Sequence, residues 1–278
     1  MLSRWLKPTI LYFTSILFSP AALATDATCS LSASPFLISM GNCTLLANNN
    51  YPDGVDSWGV QVGIALPPQY LCVVPSTVVN NTAVMSTEVC QNDNSSTLDQ
   101  CISRRGGEFN DNGAGSFNAS SPQVALAPDP VWNSFNPPFT NAGYTNIEFS
   151  ADISLSNFPI AIVLNAENSS ESQLGLANDS VLLRSIVSAG LSPSRGFGLL
   201  AGSQSVLQPR NGHIVFGGYD AASLAGPFVN YSITNATDAG DRVCSLQVTV
   251  EELILRRPGF GDVQIVSTGN PMPSCIEP

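Results

Sequence analysis

Trp58-Gly59-Val60-Gln61-Val62-Gly63-Ile64-Ala65-Leu66-Pro67-Pro68-Gln69-Tyr70-Leu71-Cys72-Val73-Val74 is the stretch on which the reading of this chain turns. Val60, Val62 and Ile64 alternate with Gln61 and Gly63, the period-two pattern of a strand with one face in a core. Leu66-Pro67-Pro68-Gln69 follows as a turn, because two prolines fix φ and withhold the N–H groups a ladder needs. Leu71 to Val74 is apolar and largely β-branched, so it predicts the second strand of a hairpin.

This hairpin resembles the start of a pepsin-like aspartic peptidase, where a Gly-Thr-Pro-Pro-Gln turn precedes an apolar strand that delivers an Asp-Thr-Gly-Ser catalytic loop. Seven residues beyond Gln69, the spacing used in that family, stands Ser76, so Ser76-Thr77-Val78-Val79 occupies the place of Asp-Thr-Gly-Ser. Further matches lie downstream. Phe109 and Phe117 correspond to the two aromatics of the family's Phe-Asp-Pro-Ser-x-Ser-Ser-Thr-Phe region. Leu174-Gly175-Leu176-Ala177 resembles its Gly-Leu-Gly/Ala loop, and Gly212-His213-Ile214-Val215-Phe216-Gly217-Gly218-Tyr219-Asp220 its Gly-x-Leu-x-Phe-Gly-Gly-x-Asp signature. The resemblance covers about residues 50 to 278 and implies an all-β fold with a short helix: a pepsin-like acid-protease barrel lobe over 25–240 and the start of a truncated second lobe over 241–278.

Residues 1–24 read separately. Arg4 and Lys7 precede an apolar run from Ile10 to Phe18, and Ala22-Leu23-Ala24 is a small-x-small cleavage site, which together predict a secretory signal peptide. A membrane span needs about twenty uninterrupted apolar residues, and Pro8, Thr14, Ser15, Ser19 and Pro20 break this run. The chain carries 10 cations and 21 anions. Cleavage after Ala24 leaves eight cations, no lysine and a net charge of −13. Such an acidic surface argues against nucleic acid as a partner, since the phosphate backbone is bound chiefly by cations. A secreted, extracellular location is expected.

Eight Asn-x-Ser/Thr sequons, at Asn42, Asn80, Asn94, Asn118, Asn168, Asn178, Asn230 and Asn235, predict glycosylation. Seven cysteines fit an oxidising compartment. Spacing suggests Cys29 with Cys43, Cys90 with Cys101, and Cys244 with Cys275, leaving Cys72 as a small buried hydrophobe. Six cysteines alone admit fifteen pairings, so connectivity stays open at this level.

Along the remaining chain, Leu31 to Leu46 reads as one or two edge strands, and residues 119 to 143, with their prolines, as irregular. Ile147, Phe149, Ala151, Ile153 and Leu155 alternate as a strand, and Pro159 to Leu164 reads as another. Val181, Leu182, Leu183, Ile186 and Val187 recur at helical spacing between a cap at Asp179 or Ser180 and a stop at Gly190, the one helix the pattern predicts. Val243 to Leu255 alternates as a further strand.

An aspartic peptidase needs two carboxylates, one from each lobe, sharing a proton and activating a water between them. Ser76 cannot share that proton, because its hydroxyl does not ionise at neutral or acid pH. Glu277 falls at the second aspartate position, beside the chain end at Pro278. No Asp-Thr-Gly or Asp-Ser-Gly occurs, the family's flap tyrosine is absent, and Asp111-Asn112-Gly113 reads as a turn. One histidine, His213, and paired cysteines offer no zinc set, and no cofactor motif is present. The expected function is therefore binding of a peptide or polysaccharide in the former substrate cleft, without catalysis. The alternative is an active aspartic endopeptidase, if the true chain is longer or the catalytic loop lies elsewhere.

Overall fold

The structure, a computed structural model, describes residues 33–43, 57–91, 97–119, 126–128, 139–164, 171–204, 208–224, 247–250, 252–257, 261–267, 269 and 272–275. The signal segment 1–24, Cys29, Cys244, Glu277 and the sequons at Asn94, Asn168, Asn230 and Asn235 lie outside them.

The hairpin forms as its pattern requires. Strand β2 (Trp58–Ile64) pairs antiparallel with β3 (Gln69–Ser76), in a register that sets Val60 against Val73 and Ile64 against Gln69. The turn is Ala65–Pro68, so Gln69 already belongs to β3. Its side chain reaches sideways: Nε2 donates to the Asn110 carbonyl at 2.9 Å, and Oε1 accepts from Asn110 N–H at 2.8 Å. A glutamine there mimics one more rung of sheet and ties the turn to the strand-like segment at Phe109.

Strand β1 (Phe36–Asn42) pairs with the first half of β2, setting Met40 against Val60. Beyond the hairpin come β4 (Ala83–Met85), β5 (Phe139–Ser150), β6 (Ile153–Val163) and β7 (Gln173–Gly175). β7 lies between β3 and β4, parallel to β3 and antiparallel to β4, and β4 runs parallel to β6. Antiparallel pairing of β6 with β5 and of β5 with the end of β2 returns to the start. The circuit β2-β3-β7-β4-β6-β5 is thus a closed six-stranded barrel, which leaves those strands no free edge along the circuit. The fold is all-β with short helices, as expected. β1, then β9 (Gly212–Phe216) and β8 (Phe197–Leu200), extend the sheet from the edge of β2 opposite β3, along the half that β5 does not cover. Towards the C-terminus lie two two-stranded antiparallel sheets, β10 (Gln247–Val250) with β13 (Met272–Cys275) and β11 (Leu253–Arg257) with β12 (Gly261–Val266).

The inward side chains make one core. Ile64, Leu71, Ile147, Ile160, Ile162 and Leu174, one or two from each of β2, β3, β5, β6 and β7, are fully buried together. Truncating any of them to alanine costs about 2–5 kcal/mol through lost contacts and the cavity left behind.

Some local readings change. The alternation from Ile147 to Leu155 is not one strand: the chain turns at Ala151-Asp152, with Ser150 opposite Ile153. A two-residue turn preserves the parity of the pattern, so periodicity runs through it undisturbed. Val243 to Leu255 is likewise broken, since β10 ends at Val250 and β11 begins at Leu253. Residues 139–143, read as irregular, belong to β5.

The predicted helix is present as α3 (Val181–Ser188), while α1 (Thr87–Gln91) and α2 (Leu98–Arg104) were not anticipated. Ser180 caps α3: its Oγ accepts from Leu183 N–H at 3.1 Å and donates to the Gly175 carbonyl at 2.6 Å. α1 and α2 have five and seven residues, too few for a periodic signal. They are joined by the Cys90–Cys101 disulfide, the pair suggested by spacing.

The other bond corrects an expectation. Cys43 is joined to Cys72, not to Cys29, and Cys72 is therefore not the unpaired thiol. Cys43 lies just beyond the end of β1 and Cys72 within β3, and the fold brings these two residues, 29 apart in sequence, to a Cα separation of 5.8 Å. Gly59 makes room for them, since a Cβ there would lie 3.1 Å from Cys72 Sγ. Spacing along the chain carries no trace of that register.

Candidate functional site

Ser76 is the last residue of β3, opposite Gly175 of β7. Its carbonyl accepts from Leu176 N–H at 2.8 Å, and its Oγ accepts from Val78 N–H at 3.4 Å. The hydroxyl thus turns back onto the loop that follows, and that loop is clamped from several sides. Ala177 N–H donates to Val79 O, Val181 N–H to Asn80 O, and Asp179 N–H to Asn80 Oδ1. Gly175 permits the approach, because a Cβ on it would lie 2.7 Å from the Asn81 backbone.

Two asparagines then bind a third segment. Asn81 Nδ2 donates to Ala127 O and Asn81 Oδ1 accepts from Ala127 N–H, both at 2.8 Å. Asn80 Nδ2 donates to Pro128 O at 2.9 Å. Asn80 is only 6% exposed, so its sequon is corrected: the nitrogen that would carry a glycan is buried and engaged. Asn42, Asn118 and Asn178 are exposed and remain accessible.

Beside the end of β3 lies a cavity of about 440 Å³. Val74 and Pro75 of β3 form one wall, with Trp58, Ser57, Glu171 and Gln204 among the other lining residues. Trp58 is held by its indole N–H, which donates to Ala201 O at 3.3 Å. Burial pushes the Glu171 carboxyl above its ordinary range. The cavity thus offers an indole, an amide, a hydroxyl and one carboxyl on an apolar floor, a mixture suited to holding a polar organic ligand.

The remaining candidates are not gathered here. His213 Nε2 lies 3.5 Å from Asp220 Oδ2 at the far side of β9. Hydrogen bonds from Ser223 Oγ and Ala222 N–H hold the Asp220 carboxyl below its usual range, with a smaller contribution from His213. The imidazole therefore faces a carboxylate, and no base is placed on Ser76 by any described contact. Asp111-Asn112-Gly113 is a turn, with Ala114 N–H donating to Asp111 O at 3.3 Å. Among the described residues no three His, Cys, Asp or Glu side chains converge as a metal site. Also among them, no helix is long and apolar enough to cross a membrane.

Sequence reasoning missed Glu108. The residue is 9% exposed, Oε1 has no hydrogen-bond partner among the described residues, and burial pushes its pKa up to about 7 against the pull of Arg105. Only the run Arg104-Arg105-Gly106-Gly107-Glu108, a charge following two glycines, hinted at it. Phe109 next to it is fully buried and meets Phe117 edge-on, with ring centroids 5.6 Å apart.

No protein-family model matches this chain, and no curated protein is similar to it.

Proposed function

We propose that this chain is a secreted, glycosylated, pepsin-like lobe that has lost catalysis and acts by binding a peptide or polysaccharide in the cavity beside Ser76. The observation that carries this reading is the position of Ser76. A strand end paired with Gly175, followed by a loop clamped under β7, is a rigid mount for a reactive side chain, and it carries a hydroxyl that accepts from Val78 N–H. A serine so placed neither ionises nor shares a proton with a second carboxyl. The cavity at Val74 and Pro75 supports the reading by its mixture of polar and apolar lining groups, with Glu171 as its one carboxyl.

The test uses the secreted protein with a quenched peptide substrate from pH 3 to 7, with and without the aspartic-peptidase inhibitor pepstatin. No inhibitable cleavage is expected. In parallel, Trp58 emission is followed during titration with a casein peptide digest and with wall-derived oligosaccharides, Trp58→Phe serving as the blank. Saturable change with one of them supports binding in the cavity. Pepstatin-sensitive cleavage, or a flat Trp58 signal with every probe, overturns the reading.

A further inference from the structure

A second concave site lies on the outer face of the barrel, where β2 exchanges one neighbour for another. Along its N-terminal half β2 is paired with β1, and at Gly63 and Ile64 with β5. The fork between β1 and β5 encloses about 360 Å³, lined by Leu37, Gln61, Gly63, Tyr70 and Glu148 among others.

Gly63 is the centre of this notch. It pairs with Tyr70 on one side and with Glu148 on the other, so the three form one row across the sheet. A Cβ on Gly63 would lie 3.3 Å from the Tyr70 ring and 3.5 Å from Glu148 Cβ. Pro68 Cβ lies 3.1 Å from the same point, so the missing side chain lets the Tyr70 ring, Pro68 and Glu148 close up around Gly63. Tyr70 is 43% exposed, so its ring is open to a partner.

The polar groups here are uncommitted. No hydrogen bond or ion pair to another side chain engages Tyr70, Gln61 or Glu148 among the described residues. Among the described residues no cation stands beside Glu148, on a chain whose net charge of −11 draws cations towards it. A guanidinium matches all three groups at once. It stacks on an aromatic face, gives two parallel N–H donors to a carboxylate, and has further donors for an amide oxygen.

We propose that the Tyr70–Gly63–Glu148 notch binds an arginine side chain presented by a partner peptide. This site is separate from the cavity beside Ser76 and stands whether or not that cavity binds a ligand.

The probe is acetyl-Gly-Arg-Gly-amide, titrated into the full-length protein while backbone amide resonances are followed by NMR. Saturable shifts centred on Gly63, Tyr70 and Glu148 are expected, weakening as salt is raised. The citrulline analogue, of the same shape without charge, should bind at least about fivefold more weakly, as should Glu148→Gln and Tyr70→Ala. Tyr70→Phe keeps the ring and should keep binding, and unchanged dispersion of the remaining amides shows that the variants are folded. Equal response to the citrulline peptide, a response to a neutral disaccharide in its place, or no localised shift overturns the proposal.

Discussion

Asn81 and Ala127 exchange two hydrogen bonds of 2.8 Å, so that one side-chain amide serves the backbone of a distant segment as a strand neighbour would. Asn81 is 1% exposed and sits in the loop that follows Ser76. Removing it leaves a buried N–H and C=O unpaired. Asn81→Ala is expected to cost about 2–4 kcal/mol, read as a lowered denaturant midpoint. Asn81→Asp keeps one acceptor but sets a carboxylate oxygen against the Ala127 carbonyl. Burial raises the pKa of that acid in the folded state, so the deficit should shrink as pH falls towards about 4, the protonated acid being able to donate again. A deficit independent of pH would mean that the pair is not the source.

Glu108 predicts a protein more stable in acid than at neutral pH. Folded, its carboxyl keeps its proton up to about pH 7, whereas the unfolded chain releases it near 4.5. Between those values the folded state binds more protons, so stability falls as pH rises. The contribution is present near pH 4 and lost by pH 8. Thermal unfolding followed by circular dichroism across that range should show the slope, and Glu108→Gln should flatten it. An unchanged slope in the variant would place the titrating group elsewhere.

Disulfide connectivity is directly measurable. Non-reducing peptide mapping should give Cys43 with Cys72 and Cys90 with Cys101. Cys72→Ala is expected to cost about 3 kcal/mol, the order for closing a loop of this length. A peptide linking Cys29 to Cys43 would contradict the register of β1, β2 and β3.

Glycan occupancy separates buried from exposed sequons. Enzymatic deglycosylation in heavy-oxygen water marks each formerly modified asparagine by mass. Asn80 should carry no mark, while Asn42, Asn118 and Asn178 are the accessible described sites. A mark at Asn80 would mean that its amide does not donate to Pro128 O in the secreted protein.

Much of the architecture was legible in local chemistry. The Pro-Pro turn and the Val60, Val62, Ile64 alternation specified the hairpin, and a capping serine with helically spaced apolar residues specified α3. What escaped was of two kinds. α1 and α2 are shorter than the window in which a helical period can be seen, and the turn at Ala151-Asp152 preserves the alternation on either side of it. For the site, Ser76 was found by counting from Gln69, whereas Glu108 carried only the hint of a charge after two glycines and the notch at Gly63 none, since neither burial nor cross-strand neighbours follow from spacing.

The sequence by itself determined the all-β class, the hairpin that leads to Ser76, and the absence of a carboxylate at that position, because each depends on residues within a few places of one another. Only the tertiary structure decided that β7 lies between β3 and β4 and closes the barrel, that Cys43 meets Cys72, that Asn80 is buried, and that Tyr70 faces Glu148 across Gly63. These are matters of strand order and register, set by how the whole chain buries its apolar faces at once.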